Sequence, residues 1–216
     1  FFNANGQKFT KLLEEEIEAA YAINTFDLPD PLHLGKARRL DDAAGRYIEY
    51  VKNTFSKTLY GKNIILDCAN GASYKVAPTI LWELGANVVT INATPDGVNI
   101  NHNSGAMHTK SLQDAVLKSK ADIGIALDGD GDRLVLVDNL GRVIDGDKII
   151  GFLASSWLTK KRLTSHKIVS TVMSNFALYE YLSALGLELI QSQVGDKFVY
   201  DKMLEHNSNL GGEQSG

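Results

Sequence analysis

The chain has 216 residues, of which 44% are hydrophobic, and it carries a formal net charge of −4. This length allows one large domain or two small ones around a buried core, and the acidic balance disfavours nucleic acids and anionic membranes as partners. No apolar stretch approaches the roughly 20 residues that span a bilayer, and the single cysteine, Cys68, excludes an intrachain disulfide and favours a cytoplasmic location.

The first third of the chain predicts two helices joined by a linker. Residues 10–24 carry an acidic pattern with apolar side chains at helical spacing. Residues 26–34 contain two prolines and are typical of a linker. A second helix is predicted over residues 41–55, with aspartates at its start.

From residue 63 onward, strands and helices alternate, which indicates an α/β fold with mostly parallel sheets. The predicted strands are residues 63–67, 87–91, 122–127, 134–137, 167–172 and 187–191. The predicted helices are residues 75–84, 109–118, 148–160, 175–185 and 196–205.

Two junctions in this series are similar to each other. Residues 83–89 and residues 184–190 each combine a helix end, a glycine and a short strand. We therefore predict two consecutive α/β domains with mixed or parallel sheets, residues 41–142 and residues 143–216. The chain starts without methionine and ends in a glycine-rich loop, so we expect an internal fragment with a truncated second domain.

The acidic loop, residues 128–133 (DGDGDR), contains the strongest functional signal. Asp128, Asp130 and Asp132 alternate directly after an apolar strand, and in an extended chain alternate residues lie roughly 6.6 Å apart. The intervening glycines can let the backbone curl until the carboxylates converge. Three carboxylates favour Mg²⁺, Mn²⁺ or Ca²⁺ over zinc or copper. With Arg133 available for a phosphate oxygen, the loop predicts a metal-dependent phosphoryl-transfer site.

Other interpretations of the acidic loop are weaker. A single Asp-Gly pair would indicate a solvated hairpin turn, but here two pairs are followed by a third aspartate. An EF-hand loop would need glycine at Arg133, glutamate at Asn139 and flanking helices. The glycine motif of a dinucleotide-binding fold is absent after both candidate strands.

Six segments of the chain together are similar to the α-D-phosphohexomutases, and among them to the glucosamine branch. They are LDCANGA (66–72), PDGVNIN (95–101), the acidic loop, TVMSN (171–175), VGDKFV (194–199) and GEQSG (212–216). The glutamine of the last segment, Gln214, is typical of the glucosamine branch, whereas phosphomannomutase/phosphoglucomutase usually has methionine there. The resemblance covers essentially the whole chain.

This resemblance implies four domains around a cleft, which carry a phosphoserine, a metal, the sugar and a phosphate. Residues 1–40 would be the tail of the first domain and a linker, residues 41–142 the metal domain, and residues 143–216 the sugar domain. The implied isomerase interconverts glucosamine 6-phosphate and glucosamine 1-phosphate through a phosphoserine and a bisphosphate, with one Mg²⁺ per chain. The serine would precede residue 1, so this chain alone is expected to be inactive.

The resemblance also assigns the site residues. Asp128, Asp130 and Asp132 would bind the metal, and Arg133 would act in catalysis. The sugar phosphate would be bound by Glu213, Gln214, Ser215 and Lys197. Lys197 stands where the branch commonly has arginine, and a lysine lacks bidentate geometry. We predict that Asp196 is the N-cap of the last helix.

Three alternatives stay open at the level of sequence. The first is a phosphomannomutase or phosphoglucomutase. The second is a phosphatase with an Asp-x-Asp nucleophile, although its further serine or threonine and lysine motifs are not found. The third is a non-enzymatic module that binds metal and sugar phosphate. The expected partner of the mutase is a small sugar phosphate, and assembly as a homodimer is left open.

Overall fold

A computed structural model describes residues 2–23 and 30–215, and its contacts divide the chain between Asp41 and Asp42. In the first unit, α1 spans Lys11–Ile23 and a 3-10 turn spans Pro31–His33. The helix predicted over residues 10–24 is confirmed over residues 11–23; Thr10 precedes it, and residue 24 lies outside the described residues. Residues 26–29 of the predicted linker also lie outside the described residues.

The second unit, Asp42–Gly216, contains two separate β-sheets. The strands are β1 (Asn63–Asp67), β2 (Asn87–Ile91), β3 (Ile123–Leu127), β4 (Leu134–Asp138), β5 (Val143–Ile144), β6 (Lys167–Thr171) and β7 (Glu188–Ser192). The helices are α2 (Ala43–Asn53), α3 (Val76–Glu83), α4 (Lys110–Ser119), α5 (Gly146–Thr159), α6 (Phe176–Ala184) and α7 (Asp196–Glu205).

The first sheet is mixed, with the strand order β2-β1-β3-β4-β5. Strand β1 pairs in parallel with β2 and β3, whereas β4 runs antiparallel to both β3 and β5. Every strand and helix predicted from residue 63 onward is present with its bounds shifted by at most two residues. The two-residue strand β5 was not predicted.

The second sheet is built from β6 and β7, which pair in parallel, and Gly211 adds a parallel bridge to Val169. Each sheet has its own apolar core. Leu112 and Val116 of α4 are fully buried against the first sheet, and Ile168 and Leu182 are fully buried in the core of the second. Burial of each such side chain contributes about 1.5–3 kcal/mol. The boundaries predicted at residues 40 and 142 stay a prediction.

Cys68 follows β1 and is completely buried. Burial, reinforced by the carboxylate of Asp67, raises the pKa of the thiol to about 11. At pH 8 this lowers the thiolate population by about 100-fold relative to a thiol of pKa 9.0.

We therefore expect a disulfide reagent to modify Cys68 in the native protein at least about 100-fold more slowly than in the urea-unfolded protein. Similar rates in the two states would contradict this burial.

Within residues 2–23 and 30–215, no helix is both long and apolar enough to cross a membrane.

Candidate functional site

The acidic loop connects two antiparallel strands, β3 and β4. Gly131 has φ +80°, a conformation that other residues rarely adopt, and its N–H donates to the Asp128 carbonyl oxygen at 3.2 Å. Gly129 is needed for a different reason, because a Cβ atom there would lie 2.7 Å from the Asn101 Nδ2 atom and from Ile100. The backbone curl therefore depends on one glycine, and close packing depends on the other.

The structure brings the three predicted metal ligands together. One carboxylate oxygen from each of Asp128, Asp130 and Asp132 lies within 4.8 Å of the other two. Around an octahedral Mg²⁺, ligand oxygens lie about 2.9 Å apart when adjacent and about 4.2 Å apart when opposite, so these carboxylates can reach one ion after side-chain adjustment. Asp128 is only 2% exposed, whereas Asp130 and Asp132 face solvent.

Arg133 is paired with Asp128 in this structure. Its Nε and Nη2 atoms both lie 2.9 Å from the Oδ2 atom of Asp128, and its backbone N–H donates to Oδ1 at 3.0 Å. Three carboxylates and one guanidinium leave two negative charges, which is the charge that a divalent cation neutralises. The predicted contact of Arg133 with a phosphate stays a prediction.

The pKa values of Asp128 and Asp132 are shifted in opposite directions. Burial raises the pKa of Asp128, but the Arg133 N–H, a hydrogen bond with Asp130 and the Arg133 guanidinium outweigh it and hold the pKa below its ordinary value. Burial and the negative charges of Asp128 and Asp130 raise the pKa of Asp132. A metal ion bound by these carboxylates would oppose the repulsion that Asp128 and Asp130 exert on Asp132.

A buried carboxylate, Asp67, organises the loops around this site. It is fully buried at the end of β1. Its Oδ1 atom accepts the N–H of Ala69 at 2.9 Å, and its Oδ2 atom accepts the Asn92 side-chain amide and the Gly105 N–H, each at 3.0 Å. This role was not predicted from the sequence, in which an aspartate at the end of a buried strand is only a weak signal.

Gly71 allows the loop after β1 to touch the acidic loop. The N–H of Ala72 donates to the Gly129 carbonyl oxygen at 2.8 Å, and a Cβ atom on Gly71 would overlap that oxygen. Replacing Gly71 with alanine is expected to lower the free energy of unfolding by about 1–3 kcal/mol and to weaken metal binding. Urea unfolding and a Mn²⁺ titration measure the two effects.

Gly45 provides the matched control for this substitution. It lies in α2, and nothing would lie within 4 Å of an added Cβ atom. Gly45→Ala is expected to leave metal binding unchanged and to raise helix stability by roughly 0.5–1 kcal/mol. Equal effects of the two substitutions would contradict the contact between Gly71 and the acidic loop.

The sugar loop, residues 211–215, lies beside the second sheet. Glu213 is half-buried, and its Oε1 atom accepts the N–H of Gly195 at 2.7 Å. The Gln214 carbonyl oxygen accepts the N–H of Gly146 at the start of α5, at 2.9 Å. The side chain of Gln214 is exposed and Ser215 is half-buried. The loop is thus held by two other segments of the chain.

Lys197 lies two residues after Gly195, whose N–H donates to the Glu213 carboxylate. The two predicted substrate ligands, Lys197 and Glu213, therefore lie near one another. Its side chain is half-buried at the start of α7. The predicted N-cap, Asp196, is wrong by one position, because Gly195 is the N-cap and Asp196 is the first helical residue. The Asp196 carboxylate accepts the N–H of Lys197 at 2.8 Å.

Two family models match the chain, one for each sheet. The model described as "Phosphoglucomutase/phosphomannomutase, alpha/beta/alpha domain II" matches residues 45–141. The model for domain III of the same family matches residues 145–216. Together they cover most of the chain, including both candidate loops, and leave out residues 1–44 and 142–144.

Similar proteins carry names from the same family. Over its whole length the chain is 50% identical to a phosphoglucosamine mutase from Nautilia profundicola and 55% identical to one from Parvibaculum lavamentivorans. It covers 50% and 49% of those proteins, so the chain spans about half the length of the curated relatives it matches.

A solved structure shares the fold. It is a phosphoglucomutase/phosphomannomutase family protein from Burkholderia thailandensis, with a TM-score of 0.81 and 23% identity. The match covers 98% of this chain and 45% of that chain.

Proposed function

The chain belongs to the phosphoglucomutase/phosphomannomutase family, and on this premise we propose that it supplies the metal-binding and sugar-binding domains of a phosphoglucosamine mutase. The observation that carries the proposal is the identity of 50–55% over the whole chain to proteins of that name. The convergence of three carboxylates in the acidic loop supports it. Because the chain spans about half of those relatives, the reaction is proposed for the complete protein.

The proposed reaction converts glucosamine 6-phosphate to glucosamine 1-phosphate. A phosphoserine gives its phosphoryl group to the free sugar oxygen, and the resulting bisphosphate reorients and returns the other phosphoryl group to the serine. Such transfer depends on positioning and charge neutralisation more than on covalent chemistry by the surrounding residues. The nucleophile is expected outside residues 1–216, so the inactivity of this chain alone stays a prediction.

In the acidic loop, Asp128, Asp130 and Asp132 would hold one Mg²⁺. When bound, that ion supplies positive charge against a phosphate oxygen. Asp128 also fixes the Arg133 guanidinium through two contacts of 2.9 Å, which keeps a second positive group beside the carboxylates. Because Arg133 is about one-third exposed, it retains a surface with which to contact a phosphate.

In the sugar loop, Glu213 and Ser215 would hydrogen-bond the hydroxyl or amino groups of the sugar. The bond between Glu213 Oε1 and the Gly195 N–H orients this carboxylate before any ligand binds. Lys197 would add positive charge for a phosphate. Location in the cytoplasm is proposed with this function because the single thiol, Cys68, is unpaired and buried. Assembly as a homodimer stays open.

The proposal is tested by assaying the complete protein with Mg²⁺ on three hexose 6-phosphates, those of glucosamine, mannose and glucose. We expect kcat/KM for glucosamine 6-phosphate to exceed the other two by at least about tenfold, since sites that hydrogen-bond a substrate group reject analogues lacking it. A higher kcat/KM for mannose or glucose 6-phosphate would contradict the assignment and favour a phosphomannomutase or phosphoglucomutase.

A further inference from the structure

Two serine hydroxyls connect the end of β6 to the sugar loop. Ser170 is the fourth residue of β6 and is completely buried. Its Oγ atom lies 2.9 Å from the Gly212 carbonyl oxygen and 2.5 Å from the Oγ atom of Ser174. Ser174 is half-buried and follows the strand. The contact between Ser170 and Gly212 joins residues 42 positions apart in the chain.

The direction of this hydrogen-bond chain follows from the number of protons. A carbonyl oxygen can only accept, so the single hydroxyl proton of Ser170 is donated to Gly212. The contact between the two hydroxyls must then use the proton of Ser174. The Ser174 hydroxyl therefore donates to the Ser170 hydroxyl, and the Ser170 hydroxyl donates to the Gly212 carbonyl oxygen. Ser170 is both acceptor and donor, so the two hydrogen bonds are connected only through it.

These two hydrogen bonds fix the orientation of the peptide group that immediately precedes Glu213. The other side of Gly212 is also held, because its N–H donates to the Val169 carbonyl oxygen at 3.1 Å. Because both the N–H and the C=O of Gly212 are hydrogen-bonded to β6, the backbone nitrogen and Cα atom of Glu213 are restricted in position. The Glu213 carboxylate then reaches the Gly195 N–H at 2.7 Å.

We propose that Ser170 is a positioning residue for sugar recognition, which acts by orienting the Gly212–Glu213 peptide and with it the Glu213 carboxylate. This inference rests on the proposed function, since Glu213 is taken to contact the sugar. Ser170 itself is buried and touches no ligand. Ser174 has a lesser role, because without it Ser170 still donates to the Gly212 carbonyl oxygen.

The test compares Ser170→Ala, Ser174→Ala and Ser192→Ala in the complete protein. Ser192 is the matched control because it is 5% exposed on the adjacent strand β7, and its hydroxyl donates to the Gln193 carbonyl oxygen. Amide hydrogen exchange is followed without ligand at Gly146, Gly195 and Gly212, whose N–H groups bond to the loop or to β6. Titrations then give the affinities for glucosamine 6-phosphate and for Mg²⁺.

We expect Ser170→Ala to speed exchange at these amides and to weaken glucosamine 6-phosphate binding, each by about 3- to 10-fold, the range of one hydrogen bond. Ser174→Ala should have a smaller effect, and Ser192→Ala should have none at these amides. Mg²⁺ affinity should not change in any variant. A purely structural role for Ser170 would lower stability without this selective loss of sugar affinity.

The inference would be overturned if Ser170→Ala and Ser192→Ala had equal amide exchange rates in the loop and equal affinities for glucosamine 6-phosphate. So would a larger effect of Ser174→Ala than of Ser170→Ala. If the complete protein without these substitutions does not bind glucosamine 6-phosphate at all, the proposed function is contradicted. The exchange rates at Gly146, Gly195 and Gly212 then decide by themselves whether Ser170 orders the loop.

Discussion

Replacing Asp130 with alanine is expected to weaken Mg²⁺ and Mn²⁺ binding by more than about tenfold, because even the loss of an outer-shell partner typically costs 10- to 100-fold. Asp130 is chosen because it is exposed, so its removal should leave the fold intact. Asp128 is a poorer choice, since its loss would leave Arg133 without its two contacts of 2.9 Å.

The measurement for Asp130 is a calorimetric or fluorescence titration of the chain with each metal. Asp114→Asn serves as the control, because Asp114 is an exposed carboxylate on α4 that pairs with Lys110 at 2.7 Å. Its substitution changes the net charge equally but lies outside the acidic loop, so metal affinity should be unchanged. Unaltered affinity in Asp130→Ala, or an equal loss in both variants, would contradict the site.

Replacing Glu213 with alanine is expected to weaken sugar phosphate binding by about 10- to 150-fold, the range for one charge-assisted hydrogen bond. Mg²⁺ affinity should stay nearly constant, because Glu213 lies beside the second sheet and the acidic loop belongs to the first. Glu213→Gln should have an intermediate effect, because the amide oxygen can still accept the Gly195 N–H but the charge is lost.

Isothermal titration of the complete protein with glucosamine 6-phosphate, and separately with Mg²⁺, measures the two affinities. Glu188→Ala is the control, since Glu188 is an exposed residue at the start of β7. It should bind the sugar phosphate as the unaltered chain does. A loss of metal binding in Glu213→Ala that matches its loss of sugar binding would show that Glu213 is not confined to the sugar site.

The sequence predicted those elements whose signal is local. Strand β1 was predicted with its observed bounds because a run of apolar residues between polar ones is visible in the chain itself. Strand β5 has only two residues and forms through its pairing with β4, so it has no periodic pattern of its own. The N-cap of α7 was misplaced because Gly195 has φ +128°, a backbone property that residue types alone do not give.

The same distinction holds for the candidate site. The convergence of the acidic loop follows from three alternating aspartates, and the structure places their oxygens within 4.8 Å of one another. The role of Asp67 could not be predicted, because the Gly105 N–H that it accepts lies 38 residues away in sequence. Contacts between distant segments, including that of Ser170 with Gly212, are fixed by tertiary packing and leave no short-range pattern.

Anomalous diffraction from crystals soaked in Mn²⁺ would show directly whether the acidic loop binds one divalent cation. The Mn²⁺ concentration should be one that a prior titration shows to saturate the chain. We expect a single strong peak coordinated by oxygens of Asp128, Asp130 and Asp132, at about 2.0–2.3 Å. A saturated chain whose only Mn²⁺ peak lies away from these three carboxylates would contradict this expectation.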